Sequence, residues 1–89
     1  MFKNIKKYEK PITMNLVQLE TGRNALVTDL CGGCQFVARL EAMGIRQGSA
    51  VLKKSASLLR GPVVVQINDM QIAIGFGMAK KIMVEQIDG

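Results

Sequence analysis

The 89-residue sequence contains no histidine and no tryptophan, and its only aromatic residues are three phenylalanines and one tyrosine. Without histidine it lacks the most common general base in enzymes and the most common nitrogen ligand for metals. Motifs of phosphate-binding loops and of serine hydrolases are also missing. We therefore expect no enzymatic activity and favour a small binding or regulatory module.

Long apolar runs are absent too. The longest, residues 72–79, is interrupted by two glycines, and it is far shorter than the roughly 18–20 residues that a transmembrane helix needs. The first residues carry lysines, but no apolar stretch of a secretory signal follows them. These patterns predict that the protein lies in the cytoplasm. A single small domain is expected, because a chain of this length supports one core.

The formal net charge of +5 is concentrated at the N-terminus, where residues 1–10 hold four lysines and one glutamate. Residues 11–89 hold eight basic and six acidic side chains. This part of the chain therefore lacks the basic stripe and the aromatic stacking surface that nucleic-acid-binding domains use. Nucleic acid is not an expected partner.

The lysine-rich residues 1–13 are predicted to be a flexible tail outside the domain, which we expect over residues 14–88. Pro11 opposes a helix that continues from the preceding residues. The alternative is an amphipathic segment that touches an anionic membrane through its lysines. The membrane surface is thus a possible partner only through this tail.

Short alternating segments predict a mainly β fold, with strands over residues 15–19, 25–30, 50–55, 63–68, 71–75 and 82–87. One helix is predicted over residues 34–43, after the second strand, because its apolar residues repeat every three to four positions. A sheet of such short strands leaves unpaired edges that could pair with other chains. These edges are reduced when the sheet curls into a small, partly open β-barrel, which is the predicted fold. Gly44 is suited to end the helix in a left-handed conformation, with Ile45 folding back onto Leu40.

The only reactive motif is Cys31-Gly32-Gly33-Cys34. Its two thiols could be structural residues around a glycine turn, metal ligands completed by another chain or by water, or a redox pair. A closed zinc site or an iron–sulfur cluster needs four ligands, and one chain supplies two cysteines. Structural thiols are the favoured interpretation, and a transition metal ion such as Fe²⁺ or Zn²⁺ is the possible cofactor.

Leu58 and Leu59, followed by Arg60, occupy a segment rich in turn residues. Two leucines in such a loop either cover an open end of the barrel or present an apolar contact to a partner. Covering the barrel is favoured, because exposed apolar patches are scarce on soluble monomers.

The sequence also contains the stretch RLEAMGIRQG at residues 39–48, together with Leu16, Leu19, Gly22, Gly32, Gly33, residues 59–63, Ala79, Ile82 and Val84. In their order and spacing these residues resemble the FeoA family of ferrous iron transport proteins. The resemblance extends from Met14 to Asp88, and residues 39–48 are its most specific part.

The resemblance implies an SH3-like β-barrel with one inserted helix. It also implies a cytoplasmic, non-enzymatic accessory protein that binds the FeoB membrane transporter and regulates ferrous iron uptake. Candidate contact residues are Leu58, Leu59 and Arg60, together with Arg39 and Arg46 near the end of the helix. The alternative function is a sensor or delivery protein that binds iron or zinc through Cys31 and Cys34.

Overall fold

The computed structural model describes residues 13–57 and 59–87. The basic tail expected over residues 1–13 lies outside the described residues except for Thr13, with which the first strand begins. Leu58 also lies outside them.

Within the described residues the chain forms six strands and two helices. In chain order they are β1 (Thr13–Asn15), β2 (Asn24–Leu30), α1 (Cys34–Ala42), β3 (Ala50–Ala56), β4 (Val63–Ile67), β5 (Met70–Ile74), α2 (Phe76–Ala79) and β6 (Ile82–Gln86). The strands make one antiparallel sheet in the order β1-β6-β2-β3-β4-β5. Because β1 and β5 remain as edges, the barrel is only partly closed. The expected mainly β fold, with a helix after the second strand, is confirmed.

The β4–β5 hairpin shows how the sequence pattern sets the sheet. Val63, Val65 and Ile67 are buried, and the residues between them are only partly covered. Asn68 turns the chain with φ of 56°, a left-handed conformation that asparagine tolerates better than most residues. The turn pairs Ile67 with Met70 and places β5 at the edge of the sheet.

Helix α1 ends as the sequence predicts. Gly44 has φ of +93°, and its N–H donates to the carbonyl of Glu41, while the N–H of Ile45 donates to the carbonyl of Leu40. This pair of hydrogen bonds is a Schellman cap. Leu40 and Ile45 are both buried, so the cap fixes the helix to the core.

The strand expected over residues 15–19 is wrong, since β1 ends at Asn15 and a turn follows. The N–H of Asn15 donates to Gln18 Oε1, and the N–H of Gln18 donates to Asn15 Oδ1, both at 2.9 Å. Such local side-chain hydrogen bonds compete with strand pairing for the backbone groups. Leu16 and Leu19, three residues apart, are both buried by the turn.

The buried side chain of Lys53 holds this turn against the sheet. It is 3% exposed, although it lies on β3 among apolar core residues. Its Nζ donates hydrogen bonds to the carbonyl of Val17 at 2.9 Å and to the carbonyl of Leu19 at 2.6 Å. Desolvation by burial lowers the pKa of Lys53 below its usual value.

The connection between β5 and β6, expected to be a short turn over residues 77–81, contains the one-turn helix α2. Ala79 is fully buried and anchors it to the core. The other end of α2 places Phe76 half-buried at the surface.

Candidate partner-binding site

The two ends of the β3–β4 connection, at Ser57 and Pro62, lie close together. The N–H of Ser57 donates to the carbonyl of Pro62 at 3.4 Å. A side chain at Gly61 would collide with Ser57, and Arg60 adopts a left-handed backbone with φ of 56°. The ends of the connection are therefore held together by residues other than Leu59.

Leu59 lies in this connection and is 90% exposed, more than any other large apolar side chain of the described residues. The expectation that it covers the open end of the barrel is therefore wrong. The physical reason is local: the contact between Gly61 and Ser57 closes the loop without Leu59. A single exposed apolar side chain is common on soluble proteins, and Leu59 is distinguished by the cation of Arg60 next to it in the chain.

Arg60 and Lys80 converge on the aromatic ring of Phe76. The guanidinium carbon of Arg60 lies 5.9 Å from the ring centroid, and Lys80 Nζ lies 5.6 Å from it. Both distances fall within the range of cation–π attraction. The ring therefore brings together Arg60, which follows Leu59 in the β3–β4 connection, and Lys80, which lies in the β5–β6 connection.

Within the described residues, the cations of this surface form no ion pair with a carboxylate. Across residues 13–57 and 59–87 the ion pair that forms is Arg23 with Glu20, at 3.1 Å. Arg60 and Lys80 thus keep their charge available beside an apolar side chain. A surface of this kind fits a partner that combines an apolar side chain with acidic groups.

Phe76 and Lys80 were not among the residues predicted from the sequence. Their connection to Arg60 spans 16 to 20 positions of the chain, and it arises because β4 and β5 form a hairpin between them. An aromatic residue between glycines, in a chain with few aromatics, is the one signal that could have indicated Phe76.

Arg39 and Arg46 lie in another connection, between β2 and β3. Arg39 is exposed on the last turn of α1. Arg46 is exposed just beyond the helix cap, and its backbone N–H donates to Ser49 Oγ at 3.0 Å. Neither shares the Phe76 ring with Arg60, so the structure groups Leu59 and Arg60 with Phe76 and Lys80 instead.

Cys31 and Cys34 are free thiols on the surface, between the end of β2 and the start of α1. The thiol of Cys31 lies 3.9 Å from Asp29 Oδ2. In the described part of the chain no three acidic, cysteine or histidine side chains gather where they could hold a metal ion. Two thiolates are therefore the most that this motif itself offers to a metal.

The part of the chain that the structure describes has no helix that is long and apolar enough to cross a membrane.

Comparison with known proteins gives a consistent result. The profile of the FeoA domain matches residues 14–86. The "Putative Fe(2+) transport protein A" of Methanocaldococcus jannaschii is 39% identical over 67 residues, which cover 75% of this chain and 79% of that protein.

Solved structures resemble the fold as well. The FeoA protein from Chlorobium tepidum superposes with a TM-score of 0.77 and 26% identity, over 85% of this chain and 72% of the other. A manganese-dependent transcriptional repressor superposes with a TM-score of 0.80 over 89% of this chain, but with 19% identity and over 44% of its own length. That likeness concerns the fold alone. The match of the domain profile and the identity with the archaeal relative show that this chain belongs to the FeoA family.

Proposed function

We propose that this protein is an accessory component of ferrous iron uptake that acts by binding an FeoB-type membrane transporter, without catalysing a reaction. Membership of the FeoA family supports the connection with iron transport. The observation that carries the binding role is Leu59, which is 90% exposed in the β3–β4 connection.

The contact surface that we propose consists of Leu59, Arg60, Phe76 and Lys80. A leucine that enters an apolar pocket of the transporter would lose water from nearly its whole side chain, worth about 1.5–3 kcal/mol. Arg60 and Lys80 would favour acidic groups around that pocket and would accelerate association at low salt. The contact between the ends of the β3–β4 connection restrains Leu59 before binding, which lowers the entropic cost of association.

The direct test measures binding of the purified protein to the transporter of the same organism, reconstituted in lipid nanodiscs. We expect Leu59→Ser to weaken binding at least about tenfold, since 1.4 kcal/mol of lost contact energy has that effect. Arg60→Ala should weaken it less and should reduce its dependence on salt.

Met70→Ser is the matched control, because Met70 is an exposed apolar residue, 55% accessible, at the turn of the β4–β5 hairpin. It should bind as the unmodified protein does. Neither Leu59→Ser nor Met70→Ser should change the midpoint of thermal unfolding by much, since both side chains lie largely in water. Equal binding by Leu59→Ser and the unmodified protein would refute the proposed surface, and no binding by either would refute the proposed partner.

A cellular measurement tests the biological role. In cells that lack the gene, uptake of ferrous iron should be restored by the unmodified protein and by Met70→Ser. Leu59→Ser should restore it only weakly at the same protein level. Full restoration by Leu59→Ser would show that the loop is not the part of the protein that supports transport.

A further inference from the structure

The sheet ends in two edge strands that differ in length and in regularity. β1, at one edge, has three residues, and the turn held by Asn15 and Gln18 follows it at once. β5, at the other edge, has five residues. Its pairing with β4 runs without a shift of register, whereas the β2–β6 and β3–β4 pairs each contain one.

β5 carries none of the features that usually protect an exposed edge. Protected edge strands are short, are twisted by a bulge, or carry proline or charged residues. The sequence of β5, MQIAI, contains neither proline nor a charged residue. In the sheet of the described residues β5 has a neighbour on one side only. Its backbone is therefore open to a further strand.

The core-facing side of β5 is incompletely covered. Ile74 is buried, Ile72 is half-buried against the core, and Met70 is 55% exposed. These three side chains share one face of the sheet, because side chains alternate along a strand. The cover of the core thus decreases along β5 towards the turn at Asn68. A strand added beyond β5 would cover the side chains that are left open.

A second copy of β5 is complementary to this edge. If two β5 strands run antiparallel about a two-fold axis at Ile72, Met70 of each copy lies opposite Ile74 of the other. The open end of one strand then meets the covered end of its partner. Gln71 lies opposite Ala73 of the second copy, and residues two positions apart in a strand direct their N–H and C=O groups to the same side, as this pairing requires.

Charge and symmetry also favour a second copy. Although the chain has a net charge of +5, β5 brings no like charges together when it pairs with itself. A two-fold contact occupies the β5 edge of both copies. It leaves β1 as the outer strand on each side, and so short an edge is a poor template for further pairing. Association by this edge therefore stops at two chains.

From this edge we infer that the protein forms a symmetric dimer in which the β5 strands of two copies pair antiparallel. Strands of five residues are about 17 Å long, and contact along them buries less than the roughly 1,200–2,000 Å² of stable specific interfaces. The dimer is therefore weak and forms in the micromolar range or above. Leu59 and Arg60 lie in another connection, so the dimer presents two copies of the surface proposed to bind the transporter.

Sedimentation equilibrium of the full-length protein tests the inference over protein concentrations from about 1 μM to 1 mM. We expect the mass to rise from that of one chain to that of two and no further. Hydrogen exchange locates the contact, since the amides of β5 should exchange more slowly at high than at low concentration, and those of β1 should not change. A single-chain mass throughout would overturn the inference. So would equally slow exchange in β5 at every concentration, because the edge would then be covered within one chain.

Two double variants test the register, because Gln71 and Ala73 are exposed and face each other across the two-fold axis. Gln71→Lys combined with Ala73→Lys places like charges opposite each other and should weaken dimerisation about tenfold. Gln71→Lys combined with Ala73→Glu places opposite charges there and should preserve or strengthen dimerisation. Any gain should disappear at high salt.

Gln35→Lys combined with Ala38→Lys is the matched control. It adds the same charges by the same substitutions at exposed positions of α1, and it should dimerise as the unmodified protein does. Equal dimerisation by this control and by the double-lysine variant of β5 would overturn the inference, as would loss of the dimer in both β5 variants. These measurements do not involve the transporter, so their outcome is independent of the proposed function.

Discussion

Lys53 Nζ donates a hydrogen bond of 2.6 Å to the carbonyl of Leu19, across 34 positions of the chain. Through this bond, and through a second one to Val17, a buried ammonium group fixes the N-terminal turn to β3. The arrangement satisfies carbonyl groups that would otherwise lie in the core without a donor. It also explains how a charged residue can occupy a buried position of the sheet.

Replacement of Lys53 by alanine should destabilise the protein by about 1–3 kcal/mol, because the buried carbonyls lose their donor. Lys54→Ala is the matched control, since Lys54 is exposed on the same strand. It should change stability by no more than about 0.5 kcal/mol. The free energy of unfolding from urea denaturation measures both effects, and equal values for the two variants would contradict the role of Lys53.

The lowered pKa of Lys53 predicts a dependence of stability on alkaline pH. Between its folded pKa and its ordinary value of 10.5, the unfolded chain binds this proton more strongly than the folded protein does. The contribution of Lys53 to the free energy of unfolding therefore rises with pH in that window. Below the folded pKa, the full cost of burying the charged ammonium group is present. The difference in unfolding free energy between the unmodified protein and Lys53→Ala should widen as pH rises towards 10.5. A constant difference would show that Lys53 titrates normally.

Gly44→Ala should destabilise the protein by about 1 kcal/mol, because alanine is strained at φ of +93°. The position is otherwise open, so the cost comes from the backbone conformation alone. Gly77→Ala provides the opposite case, since Gly77 lies inside α2 with free space around it. It should stabilise the protein by roughly 0.5–1 kcal/mol. Thermal unfolding of both variants checks the predicted difference in sign.

Phe76→Leu should release Arg60 and Lys80 from the aromatic ring while preserving most of the apolar volume. Each exposed cation–π contact contributes about 0.5–1 kcal/mol, so the loss of overall stability should be small. The β3–β4 loop should, however, open more often. Limited digestion with trypsin measures this through the rate of cleavage after Arg60, which should rise in the variant. An unchanged rate would show that the ring does not hold the loop.

Several features of the fold follow from local sequence. The helix over residues 34–43 is predicted to within one residue of its observed end, because its apolar spacing and Gly44 both act locally. The alternation in β4 and the turn at Asn68 are equally local signals. The segment 15–19 shows the limit of such signals, since its pattern predicts a strand although Asn15 and Gln18 form a turn.

The candidate site was less accessible to prediction. Leu59 and Arg60 could be selected from the sequence because leucine is unusual in a loop, but whether Leu59 is covered depends on the packing of Gly61 against Ser57. Phe76 joins Arg60 only after the β4–β5 hairpin has folded.

The sequence by itself determined the class of fold, the inserted helix with its glycine cap, the absence of histidine chemistry and the spacing of the two cysteines. Each of these depends on neighbouring residues or on composition. Only the tertiary structure decided that Lys53 is buried, that Leu59 is exposed, and that Arg60 and Lys80 share one aromatic ring. These features join residues far apart in the chain, and they form only when antiparallel pairing brings distant strands and connections together.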